Sequence, residues 1–287
     1  MLRLAVATNA ETYDRIQEPL AARGIEADHV DLTTQSISLS SPPVDAAAFD
    51  VGFVYPARLA EGGVTDALLD VPWVNGRDEM LRSRHKGECL ARLSAAGLSV
   101  PETVIVSNPA NEDDLVAAFE QISGPVVVKP NSTTRGIGVA KVTDLDSFLG
   151  VCDYLDLVHD YRATGDQSFL VQEYVPNARD FRVMLVDGDV VGAVERRLPD
   201  DALAAGQWKH NVHRGAEATG IDLTDDLQSL AKSAADVLGL SWLGVDLLVT
   251  DDRAVVNETN ARPTVDSATK YDDGFWDDVA DIVYEQV

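Results

Sequence analysis

Cysteine and long apolar runs are both scarce in this sequence of 287 residues. The two cysteines, Cys89 and Cys152, form no CxxC pair and no metal-ligand cluster, so we expect a reducing cytoplasm. No apolar run approaches the roughly 18 residues that a membrane-spanning helix needs. The start of the chain also lacks a signal-peptide pattern, because the apolar stretch from Leu2 to Ala7 is short and leads into Asn9 and Glu11. We therefore expect no membrane partner.

Lysine is the rarest of the four charged residue types: six lysines stand against thirty-four aspartates, and the formal net charge is −25. The acidic residues are spread from Glu11 to Glu285 and are not gathered into a tail. Such self-repulsion lowers stability in ordinary salt and keeps proteins soluble in concentrated salt, so the charge predicts a halophilic, high-salt cytoplasm. A nucleic-acid partner is excluded because no basic stripe exists to bind phosphates.

Several motifs that mark common enzyme classes are missing. The chain carries neither GxGxxG nor GxxxxGK[ST], which argues against a dinucleotide fingerprint and a P-loop. It also lacks GxSxG and HExxH, and no Ser/His/Asp or Cys/His arrangement stands out, so neither a serine hydrolase nor a zinc hydrolase is indicated.

Apolar periodicity predicts an α/β start. Strands at Leu2–Ala7 and Ile25–Leu32 flank an amphipathic helix from Thr12 to Arg23, which makes a βαβ unit. Further short strands at Asp50–Tyr55 and Trp73–Asn75 extend it to a small parallel sheet with helices. The length of the chain allows two or three such domains.

A long helix from Arg77 to Ala96 follows, and it carries Lys86, whose simplest interpretation is a solvated surface lysine. The rest alternates strands and helices. The predicted strands are Thr103–Val106, Pro125–Lys129, Val139–Val142, Phe169–Val175, Phe181–Val186 and Asp189–Arg197, and the predicted helices are Glu112–Ile122, Leu145–Asp160, Asp225–Leu238 and Phe275–Tyr284.

Two apolar runs near the carboxyl end predict a hairpin between Leu243 and Pro263. A three-residue loop at 251–253 pairs Thr250 with Ala254 and places Asp246 opposite Glu258, with Asn260 on the same face. Two facing carboxylates repel unless a positive charge lies between them, and Asp, Glu and Asn oxygens are ligands that Mg²⁺ accepts. The trio Asp246, Glu258 and Asn260 therefore predicts a metal site; an exposed strand face with scattered acids is the alternative.

A Gly/Ser/Thr loop from Pro130 to Gly138 lies between two predicted strands. Backbone N–H groups of such a loop can surround an anion, and Gly136 and Gly138 permit the close backbone approach that a phosphate needs. Lys129 before the loop and Arg135 within it favour an anion site. An ordinary glycine-containing hairpin is the alternative.

A positive cluster stands out between residues 179 and 214 of this acidic chain. A two-residue turn at Asp187-Gly188 is expected to bring Arg182 near the arm that carries Glu195 and Arg197. The cluster favours an anionic substrate or a developing negative charge, whereas ion pairing with Asp180 and Glu195 could account for half of it. Its cationic members are Arg179, Arg182, Arg196, Arg197, Lys209 and Arg214, with His210 and His213 beside them.

Taken in order, these segments resemble the ATP-grasp superfamily and, more narrowly, its RimK-like carboxylate–amine ligases of the glutamate-ligase type. The resemblance covers about residues 74–263, and the ordered set of motifs carries it. That set comprises Lys86, Val-Val-Val-Lys129, Arg135-Gly-Ile-Gly138, Gln172-Glu173-Tyr174-Val175, Asp180-Phe-Arg182, Glu195-Arg-Arg197, Lys209-His-Asn211-Val-His-Arg214, Gly-Val-Asp246 and Asn-Glu258-Thr-Asn260.

The resemblance implies an α/β and α+β fold in which two α+β domains sandwich ATP after an N-terminal βαβ domain. The expected domains are 1–76, 77–175 with the glycine flap, and 176–287 with the metal and substrate site. Implied cofactor-binding residues are Lys86, Lys129, Arg135, Gly136, Gly138, Glu173, Tyr174, Val175 and Asp180. The implied catalytic residues are Arg182, Lys209, Asn211 and Arg214, and Asp246, Glu258 and Asn260 hold one or two Mg²⁺ or Mn²⁺ ions.

The implied reaction transfers phosphate from ATP to an anionic carboxylate substrate, after which an amine acceptor attacks the acyl-phosphate. Glutamate addition to a protein or cofactor tail is familiar among RimK-like ligases. A small-molecule ATP-grasp kinase and a non-catalytic nucleotide-binding module are the alternatives, and homo-oligomerisation stays open. After Asn260 the chain reads Ala-Arg262-Pro263 where the family more usually has Ser-Pro-Gly; Arg262 is either a ligand for a substrate carboxylate or a surface arginine.

Overall fold

The computed structural model describes residues 1–8, 11–31, 36–40, 45–57, 59–133, 136–159 and 167–287. The helices are α1 (Glu11–Ala21), α2 (Leu59–Leu69), α3 (Arg77–Arg84), α4 (Lys86–Ala95), α5 (Glu112–Gln121), α6 (Leu145–His159), α7 (Asp200–Ala204), α8 (Asp225–Leu238) and α9 (Phe275–Tyr284). The strands are β1 (Leu2–Val6), β2 (Ile25–His29), β3 (Val51–Phe53), β4 (Thr103–Ser107), β5 (Val126–Pro130), β6 (Ala140–Val142), β7 (Ser168–Glu173), β8 (Arg179–Val186), β9 (Asp189–Arg197), β10 (Glu217–Gly220), β11 (Trp242–Val249), β12 (Ala254–Asn260) and β13 (Lys270–Tyr271).

The N-terminal sheet is parallel, with strand order β2-β1-β3, and it confirms the predicted βαβ start. The strand predicted at Trp73–Asn75 is wrong: only a single bridge joins Trp73 to Gly52. A Cβ atom at Gly52 would lie 2.4 Å from the indole ring of Trp73, so this close approach requires glycine. The indole of Trp73 thus lies over the face of the sheet at Gly52, while its backbone bridges the edge strand β3.

The central sheet is antiparallel, with order β4-β7-β5-β6. Its strands are rich in valine, and Val126, Val128 and Val171 are fully buried. These side chains form one core with α5 and α6, in which Phe148 is also fully buried. Helices therefore bury one face of this sheet, and the other face borders the cleft described below.

The C-terminal sheet has the order β10-β9-β8-β11-β12, and β13 pairs with β9 at the side. Residues from α8, such as Ala231 and Ala234, pack against Leu243 and Val245 of β11. Met80 of α3 and Cys89 of α4 belong to the same core, although both helices precede the central sheet in the sequence. The boundaries of the three expected domains stay a prediction.

The long predicted helix from Arg77 to Ala96 is two helices, since His85 takes an extended conformation (φ −78°, ψ 94°) between α3 and α4. The backbone N–H of Lys86 then bonds to the carbonyl of Asn131 at 3.1 Å, and the N–H of Gly87 bonds to its Oδ1 at 2.8 Å. The break therefore joins the start of α4 to the root of the glycine loop.

Within the described residues, no helix is both long and apolar enough to cross a membrane.

Candidate active site

A cleft of about 1220 Å³ opens between the central and C-terminal sheets and reaches the N-terminal sheet. It brings together the described candidate residues except Gly138 and Arg214, while Arg135 lies outside the described residues. The candidates that line it are Lys86, Lys129, Gly136, Glu173, Tyr174, Val175, Asp180, Arg182, Lys209, Asn211, Asp246, Glu258 and Asn260.

The hairpin of β11 and β12 has the register expected around the acidic residues, with Asp246 opposite Glu258 and Gly244 opposite Asn260. The turn, however, is one residue longer than predicted, since Val249 pairs with Ala254. A β-bulge between the turn and Glu258 adds one residue to β12 and cancels this difference. The carboxylates therefore face each other as expected, for a reason that the sequence did not reveal.

Asp246 is neutralised by arginine. Its two oxygens accept hydrogen bonds of 2.8 Å each from Nε and Nη2 of Arg182, and Arg196 lies 3.1 Å away. Burial by itself would raise the pKa of Asp246, but the two guanidinium groups outweigh it and lower the pKa to about 2. Asp246 therefore needs no metal ion for neutralisation, because the chain supplies positive charge beside it, while the metal site itself stays a prediction.

Arg182 lies near the arm that carries Glu195 and Arg197, as expected, but its side-chain partner is a different residue. A register shift after Met184 places Arg182 opposite Val194, so its partner is Asp246 of the adjacent strand. Glu195 instead pairs with Arg179 at 2.8 Å, and Arg197 pairs with Asp200 at 3.1 Å.

Arg196 belongs to the predicted positive cluster but was not among the predicted catalytic, cofactor-binding or metal-binding residues, although it lines the cleft. It is 8% exposed, and it contacts both Asp180 and Asp246. Burial favours neutral Asp180 and raises its pKa, an effect that the positive charge of Arg196 partly offsets. Cross-strand pairing of Asp180 with Arg196 could have revealed the contact, but only with knowledge of the shifted register.

The positive cluster thus divides into two parts. Four of its arginines pair with carboxylates, as the ion-pairing alternative proposed for some of them: Arg179, Arg182, Arg196 and Arg197. Lys209 instead donates to the carbonyl of Val139, the residue directly after the glycine loop. Arg214 lies in a short 3₁₀ turn outside the cleft, and neither residue has an acidic partner among the described residues.

Two buried lysines lie beside Glu258. Lys86 is 6% exposed, so its interpretation as a solvated surface lysine is wrong; it donates to the carbonyl of Thr133 and lies 3.9 Å from Glu258. Lys129 is 4% exposed and lies 3.4 Å from Oδ1 of Asn257. Burial lowers the pKa of Lys129 to about 8. Both lysines line the cleft, as does Glu258, whose side chain is 32% exposed.

The predicted metal ligands provide two carboxylates and one amide, and no group of three His, Cys, Asp or Glu side chains in the described part could hold a metal alone. Glu258 is the most available ligand, and Oδ1 of Asn260 accepts one hydrogen bond of 2.9 Å from the backbone N–H of Arg262. Mg²⁺ is commonly bound by one or two carboxylates together with substrate phosphates. The donor set therefore fits a magnesium ion that arrives with a nucleotide.

The glycine loop packs against the segment that carries Asn211. Gly136 has φ +64°, and a Cβ atom there would lie 2.8 Å from Oδ1 of Asn211. Gly138 has φ +74°, and a Cβ atom there would lie 2.8 Å from Cγ of Pro130; this glycine does not line the cleft. Both positions thus require glycine, one for the contact with Asn211 and one for the turn itself.

The segment between the two sheets carries the predicted adenine contacts. Both oxygens of Glu173 are engaged, by the N–H of Glu102 at 2.8 Å and by Arg253 at 2.6 Å. The Tyr174 ring meets Trp208 edge to face at 5.8 Å, and Lys141 lies 4.2 Å from the centre of the Tyr174 ring. Trp208 was missed by sequence reasoning, although its position directly before Lys209 was a usable signal.

Residues 83–275 match the family model of the RimK-like ATP-grasp domain, and this match covers more than half of the chain. The chain belongs to the RimK-like ATP-grasp family. It is 31% identical over 287 aligned positions to "Probable alpha-L-glutamate ligase 1" of Pseudoalteromonas atlantica, covering 90% of this chain and 86% of that relative. It is 34% identical over 192 positions to the "Probable alpha-L-glutamate ligase" of Methanococcoides burtonii.

The second of these matches covers 63% of this RimK-like chain and only 56% of the length of that relative. Among solved structures, the RimK domain ATP-grasp protein of Sphaerobacter thermophilus superposes with a TM-score of 0.68 at 24% identity and 99% coverage of both chains. This similarity confirms the expected ATP-grasp fold.

Proposed function

We propose that the chain is an ATP- and Mg²⁺-dependent ligase that joins a carboxylate to an amine and releases ADP and phosphate. The observation that carries the proposal is the arrangement of two buried lysines, Lys86 and Lys129, around Glu258 in a cleft between two sheets. This set suits a triphosphate with its magnesium ion, because ammonium groups and hard oxygen ligands meet at one place. Membership of the ATP-grasp family supports the same choice.

In the proposed reaction, a carboxylate oxygen attacks the γ-phosphorus of ATP, and the bond to the β–γ bridging oxygen breaks to give ADP and an acyl-phosphate. The amine nitrogen then attacks the acyl carbon, phosphate leaves and the nitrogen loses a proton. Glu258 and Asn260, with Asp246, would hold Mg²⁺, which supplies neutralising charge at the phosphate oxygens. The chemistry demands mainly positioning and charge stabilisation.

The proposed roles of individual residues combine the family resemblance with the positions of their side chains in the cleft. Lys86 and Lys129 bind phosphate oxygens under the glycine loop, which carries Gly136 and Gly138. Tyr174 and Val175 line the end of the cleft that receives adenine, where Glu173 also lies, and Asp180 contacts the ribose. Lys209 and Asn211, which line the cleft, act on the transferred phosphate, and the family resemblance alone assigns Arg214 to the same phosphate, since Arg214 lies outside the cleft. Arg182 contributes through Asp246, whose position it fixes.

Glutamate, or another amino acid, is the proposed substrate, and a protein or cofactor tail is the proposed acceptor. The support is the printed function of the relatives, which are described as probable alpha-L-glutamate ligases.

The decisive experiment measures ADP release with pools of acids and amines, supplied separately and together. A ligase requires both substrates, and hydroxylamine in place of the amine should trap the acyl-phosphate as a hydroxamate. A stable phosphorylated product without amine would indicate a kinase, and nucleotide binding without turnover would indicate a regulatory module. Lys129→Ala should weaken ATP binding, while Arg92→Gln, on the exposed side of α4, is the matched control.

We also propose that the protein works in a high-salt cytoplasm, on the basis of its net charge of −25. The melting temperature should rise with added KCl, since counter-ions screen the repulsion among the carboxylates. A melting temperature that falls steadily with KCl would contradict this proposal.

A further inference from the structure

Two arginines in the cleft contact main-chain carbonyls in place of carboxylates. Arg84, the last residue of α3, donates to the carbonyls of Ala57 and Ser132. Arg262, in the segment after β12, donates to the carbonyl of Ala7 at 3.3 Å. In the described part of the chain, neither guanidinium pairs with an acid, although acidic residues outnumber basic ones by 48 to 23.

The guanidinium of Arg262 has an unsatisfied hydrogen-bond donor in addition to its lack of an acidic partner within the described residues. Its Nε atom is buried and finds no hydrogen-bond partner among the described residues. A buried donor without a partner is costly, so such a group indicates a place where a ligand completes the hydrogen bonding.

Both arginines lie where an open parallel sheet typically binds ligands. Ala7 follows β1 and Ala57 follows β3, and these strands are neighbours in the sheet order β2-β1-β3. The chain therefore changes direction across the sheet between β1 and β3, and a crevice forms at the carboxyl ends of the strands at such a point. The large cleft extends into this crevice, where Arg84 and Arg262 form part of its wall.

The acidic residues of the same wall have other partners. Glu11 pairs with Arg15 one turn later in α1. Oδ1 of Asp266 accepts hydrogen bonds from the backbone N–H groups of Ala268 and Thr269 at 2.8 and 3.1 Å. Neither acid neutralises the arginines, so the corner keeps an uncompensated positive charge.

We propose that Arg84 and Arg262 form a subsite for a free carboxylate of an amino-acid substrate, one that is not phosphorylated during the reaction. A guanidinium offers two parallel N–H groups that match the two oxygens of a carboxylate. The proposed phosphate ligands Lys86 and Lys129 lie beside Glu258, whereas Arg262 bonds to the end of β1. The substrate thus extends from the phosphates to the N-terminal sheet. The subsite rests on the proposed function and names the group by which the substrate is selected.

Equilibrium binding provides the first test, because it requires no turnover. Calorimetry with a non-hydrolysable ATP analogue and Mg²⁺ present should compare L-glutamate with its α-carboxamide, followed by other amino acids paired with their α-carboxamides. The wild-type protein should prefer a carboxylate by at least about tenfold, and Arg262→Gln and Arg84→Gln should each remove most of that preference. Arg262→Lys should restore part of it, which a purely structural role would not explain.

The control is Arg92→Gln, since Arg92 pairs with Glu88 on the outer side of α4. It should keep both the preference and the affinity for the ATP analogue. The subsite is overturned if no amino acid of the panel binds, if the wild type does not distinguish acid from amide, or if Arg262→Gln keeps the distinction. Weakened binding of the ATP analogue in Arg262→Gln, without a change for amino acids, would assign the arginines to the nucleotide instead and would also overturn it.

Steady-state kinetics then separates the subsite from the proposed function. In Arg262→Gln, the KM of the acid donor or of the amine acceptor should rise at least about tenfold, and the one that rises identifies the substrate held there. The KM for ATP should stay within about twofold. Ligase turnover with unchanged KM values would leave the function standing and remove the subsite. Binding of a carboxylate that depends on the arginines, without any ADP release, would support the subsite and contradict the proposed ligase function.

Discussion

Two pairs of arginines in one cleft differ in what surrounds them. Arg182 and Arg196 project from strands of the C-terminal sheet and pair with Asp180 and Asp246, so the four charges sum to zero. Arg84 and Arg262 contact only main-chain carbonyls within the described residues. Carboxylates of the chain balance the charges of the first pair, and within the described residues no carboxylate pairs with the second.

The counter-ion of a buried cation therefore indicates the role of that cation more clearly than its residue type does. A neutral network of fixed charges stabilises and orders the strands that carry it. A cation without a counter-charge keeps its electrostatic energy available for an anion that arrives from solution. Lys86 and Lys129 are intermediate, because Lys86 lies 3.9 Å from the carboxylate of Glu258 whereas Lys129, within the described residues, contacts only the neutral amide of Asn257, at 3.4 Å.

The largest expected effect comes from breaking the balanced network. Arg196→Gln leaves Asp180 and Asp246 buried with too little positive charge, so the free energy of unfolding should fall by about 3–5 kcal/mol. Urea denaturation measures the loss. Arg179→Gln removes an exposed pair with Glu195 and should cost only about 0–1 kcal/mol. Equal losses in the two variants would show that the buried network contributes no more than a surface ion pair.

The intermediate site is tested by Glu258→Gln, which removes the negative charge between the lysines and keeps the size of the side chain. Mg²⁺-dependent ADP release should fall by an amount equivalent to about 2.7–4 kcal/mol, in the range of a lost transition-state contact. The free energy of unfolding should also fall, by about 1–3 kcal/mol, because two buried lysines lose a nearby negative charge, but the protein should stay folded. Glu88→Gln on the same side of the helix as Arg92 serves as the control, and near-normal turnover in Glu258→Gln would remove this residue from the site.

The pH dependence of stability distinguishes Lys129 from both arginine pairs. The pKa of Lys129 is about 8 in the nucleotide-free protein, and a lysine in an unfolded chain has a pKa near 10.4. Between these values the unfolded chain keeps a proton that the folded protein has released. The free energy of unfolding should therefore rise with pH in this window, by up to about 1.4 kcal/mol per pH unit.

Below pH 8 both states are protonated, and the folded protein bears the full cost of burying the ammonium group. Lys129→Met removes this cost, so its gain over the wild type should be largest below about pH 8 and should shrink as the pH approaches 10. Urea denaturation in steps across this range measures the difference. A gain that stays constant with pH would contradict the lowered pKa.

The smallest expected effect is on the stability of the unbalanced pair. Arg262→Gln removes a buried charge that has no acidic partner in the described part of the chain, and it also removes one long hydrogen bond to Ala7. These two changes oppose each other, so the free energy of unfolding should shift by no more than about 0.5 kcal/mol. A loss of several kcal/mol would show that Arg262 has a structural role like that of Arg196.

Much of the fold could be predicted because apolar periodicity marks long elements well. The helices Asp225–Leu238 and Phe275–Tyr284 have the predicted bounds, and the Asp187-Gly188 turn has positive φ at both residues, as a two-residue hairpin requires. The strands β10 and β13 were not predicted. They are short additions to β9, and their pairing depends on the neighbouring strand more than on their own residues.

The site was harder to predict than the fold because its charges are arranged by tertiary contacts. The burial of Lys86 results from the break at His85 and the glycine loop above it, neither of which the helical pattern shows. The pairing of Arg196 with Asp180 depends on a register shift that no local signal marks. The residue types that line the cleft could be foreseen, whereas the partner of each charge could not.

The extra residue of β12 has one more consequence. Regular alternation turns consecutive side chains to opposite faces of a sheet, yet Asn257 and Glu258 both line the cleft. Each lies beside a different lysine, since Lys129 is 3.4 Å from Asn257 and Lys86 is 3.9 Å from Glu258. Deleting Asn257 would leave the facing carboxylates in place and make the pairing of β11 with β12 regular. The hairpin would then offer only one polar side chain, Glu258, to the two ammonium groups. A local irregularity in one strand thus doubles the polar contacts that this hairpin offers to the opposite wall.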